Sequence, residues 1–234
     1  NKLRSFLIDN GFYEVINSPF VPAELEKAIK IDNPLDSNRK FMRTNITDSL
    51  LINLLYNERR QKDSIKLFEI SDIYTVKNNK INVTRKLGII ASGRAGHNYK
   101  DFSKKISKKY LTSVFKETLP NENFEFKVLN RESLNTKVKN EIICCEVDIA
   151  NFSSDVLCYK ELSKSPESFI EYTPISDLPI SIRDLSFSVR DFTELDKLQE
   201  YILEFKHELL KEVFIFDYFN NEKDAEIKIG FRFV

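Results

Sequence analysis

The chain carries no excess of either charge. Its 36 Lys and Arg residues are balanced by 36 Asp and Glu residues, so the formal net charge over 234 residues is zero. A free-standing nucleic-acid-binding protein usually shows a clear basic excess. Any contact with a nucleic acid is therefore expected to be local, or to be shared with a partner.

A membrane span and a leader sequence are also missing. No stretch approaches the roughly 18 consecutive apolar residues that suggest a transmembrane helix. The opening residues NKLRSFLIDNGFYEV space their apolar side chains as one face of a helix does, unlike a signal peptide. Because the sequence lacks an initiator methionine, we expect an excised or processed piece of a longer, cytoplasmic protein that makes no membrane contact.

Cysteine and histidine are too sparse for a metal centre or a catalytic triad. Cys144 and Cys145 are adjacent in a strand-like run and Cys158 stands apart, which is not the spacing of converging metal ligands. We predict a structural role for all three in a reducing compartment. Neither His97 nor His207 has an identifiable nucleophile or orienting carboxylate. The sequence therefore predicts no metal site and no catalytic residue.

Helix and strand patterns alternate over residues 1–150. Helices are predicted at 2–10, ended by Gly11, at 47–60, with Thr47 as N-cap, and at 100–118; strands are predicted at 65–76, 86–93, 123–129 and 141–149. These elements indicate helices combined with a largely antiparallel sheet.

The rest of the chain divides into a linker and a second domain. Residues 151–180 are irregular and contain three prolines. From residue 182 the pattern is strand, helix, strand, strand, with Thr193 predicted to cap a helix whose apolar face runs from Leu195 to Leu209. This order begins a ferredoxin-like α/β sandwich, which needs a further helix and strand. We therefore expect the domain at 181–234 to be incomplete.

Several phrases occur along the chain in a specific order. They are LRSFLIDNGFYEVINSPF, NPLDSNRKFMRTNITDSLLINLLYNERR, IKLFEISDIY, LPISIRDLSFSV and VFIFDYF. The first three resemble β subunits of bacterial-type phenylalanyl-tRNA synthetase, in which Gly-Phe-x-Glu-Val, Asn-Pro-Leu, an Arg-Thr before a Leu-Leu helix, and Leu-Phe-Glu-Ile follow one another. The last two resemble the start of the ferredoxin-fold anticodon-binding domain that ends those subunits.

The resemblance implies an α+β fold with two parts. Residues 1–150 would form a class II aminoacyl-tRNA-synthetase-like antiparallel sheet with helices that has lost its active site. Residues 151–180 would be a linker, and residues 181–234 a truncated ferredoxin-like anticodon-binding domain. The implied partners are a catalytic α subunit, tRNA(Phe), and a second αβ heterodimer.

The same resemblance places the chemistry of phenylalanine–tRNA ligase elsewhere. ATP and Mg²⁺ would be bound by the α subunit, with no cofactor in this chain. In an ordinary class II core, arginines in a Phe-Arg-x-Glu phrase and on a Gly-x-x-x-Arg helix clamp the ATP phosphates. Neither phrase is present. We therefore expect the chain to be inactive alone.

The sequence departs from the family pattern in two places. A Gly-rich phrase containing His-Pro is expected before the strand at 141–149, but residues 130–140 read only NRESLNTKVKN. The RNA-binding and editing modules that precede the core in the family are absent from this sequence. No editing hydrolysis is therefore assigned to it.

Two sets of candidate site residues follow. Candidate tRNA-binding residues are Arg183, Ser188, Arg190, Tyr218, Lys228 and Arg232. Candidate subunit-interface residues are Arg43, Asn57, Arg59 and Arg60. The first set is predicted largely from an open, mildly basic sheet face, for which a solvated surface, or core packing of Tyr218, is the plain alternative. For the second, local carbonyl capping by Arg43 and a favourable helix-dipole contact of the arginine pair are alternatives.

Two other functions stay open at the level of sequence. A single-chain organellar-type phenylalanyl-tRNA synthetase also ends in a similar domain, but it would require the missing ATP-clamping motifs. An RNA- or protein-interaction module unrelated to translation could share the topology by coincidence.

Overall fold

A computed structural model describes residues 2–78, 80–96, 99–118, 124–134, 136–149, 174, 180–221 and 225–234. The elements are α1 (Lys2–Asp9), β1 (Tyr13–Glu14), β2 (Phe20–Val21), β3 (Phe41–Met42), α2 (Thr47–Arg59), β4 (Ser64–Lys77), β5 (Lys80–Gly93), α3 (Tyr99–Phe102), α4 (Lys108–Thr118), β6 (Lys127–Leu129), β7 (Ile142–Asp148), β8 (Arg183–Val189), α5 (Phe192–Leu203), β9 (Val213–Asn221) and β10 (Glu226–Phe233). The α+β class predicted from the sequence is confirmed.

Two compact units divide the chain. One contains the described residues within 1–95 and 105–155, and the other those within 96–104 and 156–234. Among the described residues, no helix is both long and apolar enough to cross a membrane. Apart from Pro174 and Ile180, the predicted linker at 151–180 lies outside the described residues.

The first unit is built on a five-stranded sheet with the order β1-β4-β5-β7-β6. Only β1 runs parallel to its neighbour, because β1 pairs in parallel with β4 whereas the other neighbours are antiparallel. Successive side chains of a strand point to opposite faces, so Phe68 packs with α1 and α4 while Leu67 packs under α2. Full burial of one such aromatic side chain contributes about 1.5–3 kcal/mol. The two faces therefore hold two separate hydrophobic clusters.

The predicted helix at 100–118 is wrong, because the chain leaves the helix between Phe102 and Lys108. The N–H of Ile106 bonds to the Gly93 carbonyl at 2.8 Å, which fixes this stretch against the end of β5. Ser107 directly precedes α4, and its Oγ accepts a hydrogen bond from the N–H of Tyr110 in the first turn at 3.2 Å. The apolar spacing is continuous across the break, so periodicity alone did not reveal it.

Both predicted threonine caps are also wrong. Thr47 is the first residue of α2, and the preceding Ile46 has no side-chain cap. The N–H groups of Ile46 and Thr47 instead donate to Oε2 of Glu146 on β7, at 3.0 and 3.4 Å. At α5, Asp191 is the N-cap and accepts from the N–H of Thr193 at 2.9 Å. In each case an acidic group satisfies the helix N-terminus, where negative charge is favourable.

The second unit is a three-stranded antiparallel sheet with the order β8-β10-β9. The strand, helix, strand, strand order predicted from the sequence is confirmed. Ile227, Ile229 and Phe231 on β10 are buried and pack with α5. The predicted helical face is too long, because α5 ends at Leu203 and Leu209 is exposed.

Candidate RNA-facing sheet and subunit-contact residues

One cross-strand row of the three-stranded sheet brings together a cation, a hydroxyl and an aromatic ring. Lys228 on central β10 is paired with Ser188 on β8 and with Phe219 on β9. Directly opposed residues project to the same face. The Lys228 side chain is 59% exposed and Phe219 is 56% exposed. The row therefore offers an ammonium group beside a free π-face, which are the groups that bind single-stranded RNA.

Arg190 extends this row at the end of β8. Its Nε lies 3.8 Å from Oε1 of Glu226, and Nζ of Lys228 lies 3.8 Å from Oε2 of the same carboxylate. The largely buried Glu226 carboxylate is thus shared by two exposed cations. Together, Arg190, Lys228 and Glu226 carry one net positive charge. We name Ser188, Arg190, Phe219 and Lys228 the basic row.

The other end of this face is not open, contrary to the prediction. Phe102 of α3 packs on Phe216 at a ring-centroid distance of 5.5 Å, and the Arg232 guanidinium lies over both rings at 4.9 and 5.1 Å. Phe216 in turn covers Gly230, where an added Cβ would lie 2.8 Å from the ring. Arg232 donates from Nε and Nη2 to the two carboxylate oxygens of Asp184, each at 2.8 Å. Arg232 is therefore held in place as part of this packing.

Two further candidates, Arg183 and Tyr218, are paired with the odd-numbered residues of β10, whereas Lys228 and Arg232 are even-numbered. Arg183 is paired with Phe233, and Tyr218 with Ile229. Arg183 is exposed, and its Nη1 donates to the carbonyl of Ile182. The Tyr218 ring lies 5.5 Å from the Tyr99 ring in a tilted arrangement, and Tyr218 is 38% exposed. The structure thus separates the six tRNA-binding candidates into more than one surface.

The Arg232–Asp184 pair predicts a pH dependence of this unit. The hydrogen bonds from Arg232 hold the pKa of the Asp184 carboxyl below its usual value. A lowered pKa in the folded state adds stability above the unfolded-state value of about 3.9, and that stability is lost as pH falls through the lower folded pKa. We expect wild-type protein to lose under about 1 kcal/mol across this window, because the pair is partly solvated.

Amide hydrogen exchange of β10 measured from pH 5 downward checks this expectation. The Asp184→Asn variant is the control, since it should lack this component of the pH dependence. Identical pH profiles for the two proteins would contradict the assignment.

Arg43, a candidate for subunit contact, is only 1% exposed. Its Nη2 donates to Oε1 of Glu69 at 2.9 Å and its Nε to the Asp72 carbonyl at 3.2 Å. Asn17 donates to both oxygens of the same Glu69 carboxylate and accepts from Asn53. Among the described residues, Nη1 of Arg43 meets no acceptor. Arg43 is therefore buried in a local network, in which it pairs with Glu69 and caps the Asp72 carbonyl.

The other three candidates for subunit contact lie at the C-terminal end of α2. Asn57 is half-buried and donates to the Asn53 carbonyl at 2.9 Å. Arg60 lies 3.4 Å above the centre of the Tyr56 ring and donates to the Tyr56 carbonyl. Arg59 is exposed. The end of α2 thus presents two arginines and a partly exposed tyrosine, while subunit contact stays a prediction.

The two most buried arginines that the structure describes in this unit are both paired with carboxylates. Besides Arg43, the largely buried arginine of this unit is Arg131, which bonds to Glu58 through Nη2 at 2.6 Å and through Nη1 at 3.1 Å. Its Nη2 also donates to Ser92. Both guanidinium groups are thus neutralised by buried carboxylates. Among the described residues, no group of His, Cys, Asp and Glu side chains could hold a metal ion.

Two adjacent cysteines of β7 are buried free thiols. Burial raises the pKa of Cys144, and it raises the pKa of Cys145 to about 12. A reactive cysteine needs a substantial thiolate fraction. Both side chains are therefore unreactive at neutral pH and serve as small apolar groups in the core.

Comparison with known proteins identifies the family. Residues 1–150 match the model of the phenylalanyl tRNA synthetase beta chain CLM domain. The phenylalanine–tRNA ligase beta subunit of Coxiella burnetii is 24% identical over 96% of this chain, and that of Fusobacterium nucleatum is 27% identical over 94%. This chain covers 32% of each relative, so it spans about a third of their length.

Among solved structures, the pyrrolysyl tRNA synthetase of Desulfitobacterium hafniense is similar, with a TM-score of 0.43 and 14% identity over 63% of this chain and 64% of that one. The family assignment rests on the sequence matches, of which the CLM-domain match covers more than half of the chain. The chain therefore belongs to the family of phenylalanyl-tRNA synthetase β chains.

Proposed function

We propose that this chain acts as the non-catalytic β-subunit portion of phenylalanine–tRNA ligase, which assembles with a catalytic α subunit and binds tRNA(Phe) during ATP-dependent aminoacylation. The observation that carries the proposal is the alignment of β-subunit relatives along 94% or more of the chain. Because these relatives are β subunits, neither a single-chain synthetase nor an unrelated module is favoured.

The core at 1–150 would be a class II-like sheet without an active site. Pairing of Arg43 with Glu69 and of Arg131 with Glu58 supports this proposal, because a phosphate clamp needs cations that are free to receive anions. ATP and Mg²⁺ would then be bound by the α subunit. The second αβ heterodimer and the cytoplasmic location belong to the same proposal.

The domain at 181–234 would be the tRNA-binding part. The strands lie in the order β8-β10-β9, and α5 connects β8 to β9 along the chain. This arrangement is compatible with part of a ferredoxin-like sandwich. The basic row supplies the cations and the exposed ring that an RNA loop needs. The chain would therefore act by positioning, holding the tRNA so that its acceptor end reaches the partner's site.

Aminoacylation assays test the division of labour. The full-length protein, its α subunit and the mixture are each incubated with ATP, phenylalanine and tRNA(Phe). We expect product only when the α subunit is present. Aminoacylation by the β chain alone would overturn the non-catalytic assignment, and failure of the two chains to assemble would overturn the subunit assignment.

Removal of two cations from the basic row should weaken RNA binding. We expect the double variant Arg190→Ala with Lys228→Ala to bind tRNA(Phe) about tenfold more weakly at low salt, because each lost phosphate contact removes counterion release. The slope of log K against log salt should become shallower by about 1.4–1.8. Filter binding or fluorescence anisotropy of the assembled enzyme at several salt concentrations measures both quantities.

Lys197→Ala is the matched control, since Lys197 is an exposed lysine of α5 that already pairs with Glu194. Its tRNA affinity should equal that of wild type. Conversely, Glu226→Gln removes the carboxylate shared by Arg190 and Lys228, so it should strengthen tRNA binding. Equal affinity for all these proteins would exclude the basic row as an RNA contact.

A further inference from the structure

The β4–β5 hairpin is longer than the sheet that contains it. Its two strands pair continuously from Ser64 with Gly93 to Lys77 with Lys80. On the β5 side, β7 covers only residues 86–92. Residues 72–77 and 80–85 therefore form a two-stranded ribbon, which we name the β-ribbon, about 20 Å long at roughly 3.4 Å per residue.

One edge of the β-ribbon is fixed by other parts of the chain. The N–H of Tyr74 bonds to the Arg43 carbonyl at 3.0 Å, and the N–H of Val76 bonds to the Lys27 carbonyl at 2.9 Å. An isolated two-stranded hairpin is at best marginally stable in water. These bonds therefore support the β-ribbon along β4, while its tip and its β5 side are exposed.

The tip carries positive charge that the fold does not use. Lys77 and Lys80 oppose each other in the register, are both exposed, and make no ion pair with the described residues. Like charges directly opposite each other on a sheet are destabilising. The nearest acidic group on the β-ribbon, Asp72, is already paired with Arg85 at 3.6 Å, and Lys27 is paired with Glu26 at 3.0 Å. A net double positive charge thus stays at the tip.

Apart from Ile73, which is buried in the core, the face of the β-ribbon that carries these lysines is polar. Thr75, Asn82 and Thr84 follow Lys77 and Lys80 at alternate positions along the two strands. Hydroxyl and amide groups of this kind commonly contact phosphate and sugar in RNA and DNA complexes. Two flexible ammonium groups followed by short polar side chains therefore complement a phosphate backbone.

The opposite face is more apolar. Ile81 is 67% exposed and Val83 is 53% exposed, opposite Val76 and Tyr74. β-branched residues are favoured in strands even at exposed positions. A protein partner on this face is the competing occupant, but it leaves the opposed lysines at the tip without a role.

We propose that the tip of the β-ribbon is a second RNA-contact surface, in which Lys77 and Lys80 bind the phosphate backbone. The identity of the RNA as tRNA rests on the proposed function. The contact is independent of sequence, because ammonium–phosphate pairs position an RNA without reading its bases.

The test uses the full-length protein assembled with its α subunit and a fluorescent tRNA(Phe) transcript. Lys77→Ala with Lys80→Ala should weaken binding about tenfold at low salt and make the log K–log salt slope shallower by about 1.4–1.8. The matched control is Lys108→Ala with Lys109→Ala, which removes two exposed lysines of α4. This control should leave affinity and slope unchanged.

The outcomes separate this inference from the proposed function. Wild-type affinity and slope in the Lys77/Lys80 variant would overturn the RNA contact. Unchanged RNA binding with reduced recovery of the α subunit would assign the β-ribbon to a protein partner instead. If this variant weakens binding while the Arg190/Lys228 variant does not, the inference stands and the basic row fails. A wild-type complex that binds no RNA would overturn both.

Discussion

Replacing Glu69 with alanine is expected to lower the free energy of unfolding of the five-stranded unit by about 3–5 kcal/mol. The change leaves the Arg43 guanidinium buried without the Glu69 carboxylate, at a site where Nη1 already meets no acceptor among the described residues. It also removes both side-chain oxygens to which Asn17 donates. Hydrogen exchange of the slowest β4 and β5 amides measures this loss in the relevant unit.

Two variants make the Glu69 result interpretable. Asp72→Ala breaks the solvent-exposed contact with Arg85 and should cost under about 1 kcal/mol. Arg43→Met combined with Glu69→Leu removes both charges and should recover much of the loss, because an apolar pair avoids the desolvation of two ions. A Glu69→Ala loss as small as that of Asp72→Ala would contradict the buried-network assignment.

The same experiment decides what Arg43 does. If Arg43 has a structural role, its substitution should lower the free energy of unfolding. The fraction of the protein that still folds should then bind the α subunit as well as wild type does. Arg59 is exposed at the end of α2, so we expect the opposite result for its substitution, which is weaker binding of the α subunit at unchanged stability. Arg59→Ala should leave exchange rates in the sheet unchanged if its role is contact with a partner.

The sequence predicted the positions of β4 and of most other strands because their residues alternate or are uniformly apolar. It did not predict the partner of Glu69. A single carboxylate between Phe68 and Ile70 in a buried strand signals that a compensating polar or charged partner must lie nearby. Arg43 lies 26 positions away, and only the tertiary pairing of the segments brings the two together. Local periodicity carries no information about that contact.

The candidate RNA-facing surface also combines a part that local periodicity predicts with a part that depends on tertiary contacts. Alternation along β8 and β10 correctly placed Ser188 and Lys228 on one face. It could not predict that Phe102, 112 positions before Phe214, would cover the other end of that face, with its ring 6.4 Å from the Phe214 ring. Nor could it separate Phe102 from Ile106, which lie close in sequence but belong to different units. The face was predictable from the strands, and its covering was not.

Gly93→Ala is expected to destabilise the same sheet by about 3 kcal/mol or more. Gly93 has a φ of +95°, and an added Cβ would overlap the carbonyl of Asp63. A left-handed conformation alone costs a non-glycine residue roughly 1–2 kcal/mol, and the overlap requires a backbone shift in addition. The shift would disturb the bond from the N–H of Ile106 to the Gly93 carbonyl and the bond from Arg94 to Asp63.

Gly11→Ala separates the two costs at Gly93. Gly11 also has a positive φ, +77°, but its added Cβ would meet only Nζ of Lys66 at an ordinary 3.7 Å. Its substitution should therefore cost the conformational component alone, about 1–2 kcal/mol. Urea unfolding with hydrogen exchange at β4 and β5 compares the two variants. Equal losses would show that the Asp63 backbone yields to the methyl group, whereas a larger loss at Gly93 assigns the difference to the closely packed junction where β5 leaves the sheet.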